Sequence, residues 1–380
     1  MYFIILALGL ILSAINDKKH ISFKLLVLIL LVFAFLRYGV GTDYFSYNFL
    51  YDRLNPSLFL ELTQGVDNQE IGFRLFGSLL KGIGFSYQFY LIIIAFINIF
   101  FISLTCSKYS KNPTFSLLIY YSFYYLVWTF SGLRQGIVIA IGVYYLLEYI
   151  QKNKHLRFLL IVLLLTTIHL SALILIPLYF ASKINFKKKT LLIILLSSLA
   201  FAMIPWGNIL KNFIWIPFIS RIILYIDTST FSLTRLLDFQ SIGRFVFLII
   251  IFFYYDSYAR QNEVSKKILN IYIISMILYF VFKFSELTAA RLSIYGKILD
   301  MIILANTYYL YKERINRILY SVLMILLLVV YFNKELVALK TQTGLVTESQ
   351  INIPYTSIID KERYEFDNSL YEILYPDESS

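Results

Sequence analysis

Arg37, Arg74, Arg134, Arg221, Arg235 and Arg291 each stand near the edge of a long apolar run. Asp43, Glu70, Gln135 and Glu286 lie close to them in the sequence, and His169 sits deep inside another apolar stretch. A guanidinium at the border of hydrocarbon is costly unless it is paired or faces water. Its planar fork grips phosphate or carboxylate through two hydrogen bonds at once. Several such forks turned into one cavity suit a diphosphate, and fixed cations there stabilise charge that develops on a leaving group. A carboxylate or imidazole nearby can take the proton of an attacking hydroxyl. Asp43 is the first choice for that base, with Glu70 and His169 as alternatives that a sequence cannot rank.

Each of these residues also has a plainer reading. Arg74, Arg221 and Arg235 can snorkel to lipid headgroups. Arg37 and Asp43 can clasp each other. Glu70 can cap the amphipathic stretch "EIGFRLFGSLLKGIG", and His169 can pack against neighbouring helices. Arg134 differs, because "FSGLRQG" is a tight turn followed at once by a new apolar run. Its side chain has little room to leave, so it is expected to face a cavity.

The elements that must hold these groups follow from composition. Of the 380 residues 59% are hydrophobic and only 15% are charged, and the mean hydropathy is +0.71. That leaves too few charges to solvate a soluble surface of this size. Continuous apolar runs, rather than short alternating segments, point to an all-α, polytopic membrane protein and away from a β-barrel. About ten spans are expected, near 1–15, 22–36, 87–105, 113–130, 134–150, 190–206, 242–259, 268–284, 292–311 and 315–332. They form one transmembrane domain over 1–332, followed by a polar tail, 333–380. The first apolar run has no basic residue before it, so it reads as a retained span and not a cleaved signal. The tail segment "INIPYTSIID" is expected to fold back onto the outer surface.

Basic residues cluster in the short connections: Lys18/Lys19, Lys108/Lys111, Lys152/Lys154/Arg157, Lys183/Lys187/Lys188/Lys189, Arg260/Lys266/Lys267 and Lys312/Arg314/Arg317. The positive-inside tendency puts these connections in the cytoplasm. Both termini and the loops 37–86, 207–241 and 285–291 then lie outside. The net charge of +11 thus serves orientation, and no basic soluble face points to nucleic acid. The stretch 158–182 has basic flanks on both sides but only one span's worth of apolar residues. A re-entrant hairpin with "TTIHLS" at its tip satisfies both flanks; a straight span with a mid-helix His is the alternative.

Tyrosines are abundant at 38–51 and 120–125, beyond what an interfacial belt requires; lining a polar cavity they would suit the apolar faces of sugar rings. Tyr44 belongs to this set. The single Cys106 rules out an internal disulfide or a multi-cysteine metal site. No phosphate-binding loop, zinc-protease, nucleophile-elbow or dinucleotide motif is present.

The segment "RYGVGTDYFSY" (Arg37, Gly41, Asp43, Tyr44, Tyr47) resembles the opening of the EpsG-like, Wzy-type polysaccharide polymerases. The resemblance continues through "QEIGFRLFGSLLK" (Glu70), "SGLRQGIVIAIGVY" (Arg134, Gln135), "TTIHLSALILIPLY" (His169, Ser171), "AARLSIY" (Arg291, Tyr295) and "PYTSII". It implies an architecture like the GT-C-type glycosyltransferases and a metal-independent, inverting or retaining glycosyl transfer without a cofactor. The transfer would occur at the outer face of the cytoplasmic membrane. A growing glycan on undecaprenyl pyrophosphate would be the donor and a lipid-linked repeat unit the acceptor, with membrane lipids and a chain-length regulator as further partners. Arg134 and Arg291, assisted by Arg37, would meet the pyrophosphate. Tyr44, Gln135 and Tyr295 would join the substrate site, whereas Arg221 and Arg235 rest on their chemistry alone. A ligase or single-sugar transferase on the same lipids, and a flippase for lipid-linked sugars, are the competing readings.

Overall fold

The computed structural model describes residues 1–15, 17, 19–65, 68–204, 206–216, 219, 239–341 and 355–360; Arg221 and Arg235 lie outside them. The described residues form helices α1 (Tyr2–Ala14), α2 (Ile21–Phe35), α3 (Tyr44–Arg53), α4 (Leu58–Gln64), α5 (Ile71–Gly82), α6 (Tyr87–Tyr109) and α7 (Pro113–Tyr120). A π-helix (Tyr121–Ser131) leads into α8 (Leu133–Lys152), α9 (His155–Thr166), a 3-10 turn (Leu170–Ile174), α10 (Leu175–Lys183), α11 (Lys188–Ala202) and α12 (Trp206–Leu210). Then come α13 (Phe239–Ala259), α14 (Glu263–Val281), α15 (Glu286–Lys297), α16 (Asp300–Thr307) and α17 (Arg314–Thr341). The last helix therefore runs past residue 332 into the expected tail.

Short polar residues set the helix starts. Asn112 accepts from the Phe115 N–H (3.0 Å) with Pro113 in the first turn, and Asn262 accepts from the Ser265 N–H (2.7 Å). Ser285 does the same for Thr288 (3.3 Å). Each caps an N–H that has no partner inside its own helix.

Among the described residues, five helices are long and apolar enough to cross a membrane: Tyr87–Tyr109, Leu133–Lys152, Ser241–Ala259, Glu263–Val281 and Arg314–Leu339. The other expected spans come out short or broken. Helices α1, α2 and α11 hold 13, 15 and 15 residues, about 20 to 23 Å at 1.5 Å per residue, short of a hydrocarbon core of about 30 Å. The run 292–311 is divided between α15 and α16, and the run 113–130 changes from α to π winding midway. The outward faces of the long helices are hydrocarbon-like. Ile249 and Phe253 on α13 are 69% and 76% exposed, and α17 exposes Ile315, Leu319, Val322 and Leu326. Apolar stripes of this kind suit lipid as the solvent.

The chain packs as two compact units. The first comprises Met1–Tyr144, Leu164–Leu170 and the chain from Tyr311 on; the second comprises Tyr145–Leu163 and Ser171–Leu310. In the first, α2 packs on α6, α1 on α7, and α17 on the π-helix. Tyrosines fill this core. Tyr120 OH donates to Asn98 Oδ1 (2.7 Å), Tyr121 OH to Tyr2 O (2.8 Å) and Tyr125 OH to Leu30 O (2.6 Å). The 120–125 cluster is thus buried packing with each of these three phenols satisfied inside the core, not the sugar-facing surface expected from its composition. The tail segment 355–360 returns to this unit. Tyr38 N–H donates to Thr356 O (3.0 Å), Ile358 N–H to Leu36 O (2.8 Å), and Tyr355 OH to Phe33 O (2.7 Å).

In the second unit α14 is central, with α10, α11, α13 and α15 packed on it. The stretch 155–183 folds as a helical hairpin. Tyr179 stacks on Phe158 with ring centroids 4.4 Å apart and shares a hydrogen bond with His155 Nδ1 (2.9 Å). Lys183 Nζ donates to Asn153 Oδ1 (2.6 Å). The two basic flanks therefore meet, as a hairpin demands and a straight span forbids.

Candidate functional site

The hairpin tip belongs to the first unit. Helix α9 ends in a turn at Thr167–His169, where Thr167 Oγ1 donates to Leu164 O (2.7 Å) and His169 N–H to Leu165 O (3.0 Å). Gly72, in the first turn of α5, donates its N–H to Thr167 O (2.7 Å). A Cβ at Gly72 would stand 2.1 Å from Thr167 Oγ1, so only glycine lets α5 come this close to the tip.

Glu70 is the residue just before α5, and its carboxylate does not cap that helix. It reaches across instead, one oxygen paired with Arg134 Nη1 and the other accepting the Leu170 N–H (3.2 Å). The capping reading is therefore set aside. Arg134 lies in the first turn of α8. Its guanidinium also hydrogen-bonds the Tyr47 phenol and lies 5.9 Å from the centre of the Phe73 ring. Its Nε–H is buried without a partner. Burial pushes the Glu70 carboxyl up, but Arg134, hydrogen bonds and His169 more than offset this and hold it below its ordinary value. Burial raises the Tyr47 phenol, and Arg134 tempers the rise. Three of the residues marked out in sequence, Glu70, Arg134 and His169, are thus gathered here, with Tyr47 as a fourth. The pair remains accessible, with Arg134 23% and Glu70 25% exposed.

A pH dependence follows from Glu70. Because its folded-state pKa is depressed, its stabilising contribution is complete above the unfolded-chain value and is lost as pH falls through the folded value. The difference in Tm between wild type and Glu70→Gln should stay constant from about pH 8 to about pH 5 and shrink only below that.

Arg37 is placed otherwise than expected. It is fully buried, its Nη1 donating to Phe130 O (2.5 Å) and Val40 O (3.2 Å), with the guanidinium over the Phe130 ring at 4.6 Å. Carbonyls and a ring hold it, so the clasp with Asp43 does not form. Its Nε and Nη2 are buried without partners, and burial pushes its pKa down. Gly41 makes this packing possible, because its φ is +124° and a Cβ would lie 2.6 Å from Phe130 O. The loop 37–43 is thereby fastened to the end of the π-helix, and Thr42 N–H donates to Ser131 Oγ (3.1 Å). Asp43 follows with an exposed carboxylate that accepts from the Thr42 hydroxyl (3.2 Å). Tyr44 is buried among Tyr38, Phe45 and Tyr87, and its phenol is pushed up to about 12 by burial. Gln135 is buried. Arg74 does not snorkel; it is buried against Glu61 at 3.3 Å.

The second unit holds the remaining candidates. Arg291 is exposed on α15, and Tyr295, one turn later, is fully buried and shares a 2.7 Å hydrogen bond with Ser171 Oγ. Sequence reasoning passed over a buried ion pair here, Arg244 Nη1 to Asp300 Oδ2 at 3.3 Å, with both side chains at most 4% exposed. It also passed over buried Lys283, which donates to Tyr279 OH at 3.1 Å. The available signal was an ionisable residue inside an apolar run. Arg244→Met should lower stability by about 3 kcal/mol, since it strips a buried carboxylate of its guanidinium. The double variant Arg244→Met/Asp300→Leu should recover most of that loss in thermal unfolding.

Long apolar helices with lipid-like faces, and polar side chains gathered at their ends, define a multi-pass helical membrane protein. The comparison with protein families then specifies the kind: the EpsG family model matches residues 20–357, and the chain belongs to that family. Membership points to a membrane glycosyltransferase-like function in polysaccharide polymerisation. No curated protein and no solved structure matches the chain.

Proposed function

We propose that the protein is a polysaccharide polymerase of the cytoplasmic membrane. It moves a growing glycan from undecaprenyl pyrophosphate onto a lipid-linked repeat unit, at a site facing outward. The observation that carries this reading is the Arg134 cluster: a guanidinium oriented by Glu70 and Tyr47, with a spare buried N–H, beside the imidazole of His169. In the transfer, the anomeric carbon–oxygen bond to the diphosphate breaks and a bond to the acceptor's sugar hydroxyl forms. The hydroxyl proton passes to a base, and the electron pair leaves on the diphosphate. Arg134 meets the charge that grows there.

The three candidate bases are not equal. The charge of Glu70 is committed to Arg134, and its depressed pKa makes it a poor proton acceptor. The exposed carboxylate of Asp43 holds the Thr42 hydroxyl. His169 carries the side chain suited to taking and returning a proton near neutral pH, and we assign it the role. Arg37 is assigned a positioning role, because it fastens the loop before α3 and does not open to a cavity. Arg291 is assigned to the lipid-linked substrate from its match to the family pattern.

The outward orientation is supported by the meeting of the hairpin's basic flanks, which keeps the alternation of basic and mixed loops intact. Gel analysis of lipid-linked intermediates tests the reading. Cells lacking the protein should hold single repeat units and no long chains. Long chains accumulating on the carrier lipid would instead mark a ligase.

A further inference from the structure

Two turns meet at one end of the second unit: the turn between α10 and α11, and the turn between α13 and α14. Lys266 Nζ donates to Asn185 Oδ1, and Lys188 pairs with Asp256 at 3.3 Å. An open cavity of about 730 Å³ lies there, lined by Lys187, Lys188, Arg260 and Lys266 with Asp256 as its one carboxylate. Four cations share a space about as wide as the screening length at physiological salt, so they repel one another, and Asp256 offsets only one of them. The fold fixes them there all the same. Arg260 Nε donates to Asp256 O (3.1 Å), which leaves its two Nη amines for a ligand, and Lys187 stands exposed immediately before α11. Tyr255 lines the wall but commits its hydroxyl to Asn270 Oδ1 (2.8 Å).

The volume is that of a small-molecule site. Its charge asks for an anion with several acceptor oxygens, and Arg–Lys clusters hold phosphate through charge-assisted hydrogen bonds. We propose that this cavity is a phosphate-binding site, built wholly from the second unit and independent of the polymerase reading. The phosphate can come from an anionic lipid headgroup, since the cavity lies at the ends of membrane helices, or from a soluble phosphate compound.

The test uses the full-length protein in phosphatidylcholine nanodiscs, with thermal unfolding as the readout. One arm adds inorganic phosphate against chloride of equal ionic strength; the other replaces part of the lipid with phosphatidylglycerol. A ligand that binds only the folded state should raise Tm by about 3 °C or more in at least one arm. The responding arm names the source. Lys187→Gln/Arg260→Gln removes two exposed cations that hold no other element in place, and it should weaken the apparent affinity at least tenfold with the unliganded Tm unchanged. No shift in either arm, or an equal shift in the variant, overturns the proposal.

Discussion

Arg134→Ala should abolish long-chain glycan while single repeat units persist on the carrier lipid. Loss of one preorganised charge stabiliser costs about 100- to 1,000-fold in rate, enough to remove every ladder rung above the first on a gel. Folding should survive, because the pair is about a quarter exposed on both sides and Glu70 keeps its bond from the Leu170 N–H. Arg134→Lys should restore little. A lysine supplies a point charge but not the fork that serves Glu70, Tyr47 and a ligand at once. Normal chain length in either variant would remove Arg134 from the reaction.

His169→Gln is the second large effect. A general base contributes about 100- to 10,000-fold, so kcat should fall in that range with KM for the acceptor little changed. Asp43→Asn, which alters a solvated carboxylate, should cost less than tenfold. Glu70→Gln separates positioning from proton transfer: it should loosen Arg134, raise KM for the pyrophosphate donor and leave the pH profile of kcat in place. If Asp43→Asn proves the more damaging change and His169→Gln is mild, the base is Asp43 and the assignment made here is reversed.

Arg134 and His169 could be marked out in advance because each breaks a hydropathy pattern, and Glu70 because a carboxylate near such arginines can serve as a base. Arg134 sits in a turn too short to release it, and His169 interrupts an apolar run with basic flanks on both sides. Their association could not be read, because it depends on Gly72 bringing α5 against Thr167, a contact between residues far apart in sequence. The tyrosines at 120–125 misled for a physical reason. A phenol stacks well on a sugar, but it packs equally well in a core that offers a carbonyl, and Tyr121 and Tyr125 each found one. Arg37 misled likewise, since carbonyls and the Phe130 ring substitute for the anion its position called for. Of the ten expected spans, five come out as single helices of membrane-crossing length among the described residues, because hydropathy measures apolar content and not helical continuity. The run 292–311 is apolar on average but carries Lys297 and Asp300, and the helix breaks between them, where the chain buries Asp300 against Arg244. That pair went unseen because its two charges lie in different apolar runs, 56 residues apart in sequence.

The most direct measurement reconstitutes the purified protein in liposomes with a defined oligosaccharide on undecaprenyl pyrophosphate as its only substrate. We expect products that lengthen by whole repeat units, one undecaprenyl pyrophosphate released per unit joined, and no elongation with Arg134→Ala. Movement of the lipid-linked oligosaccharide across the bilayer with no units joined would contradict the account and make the protein a transporter.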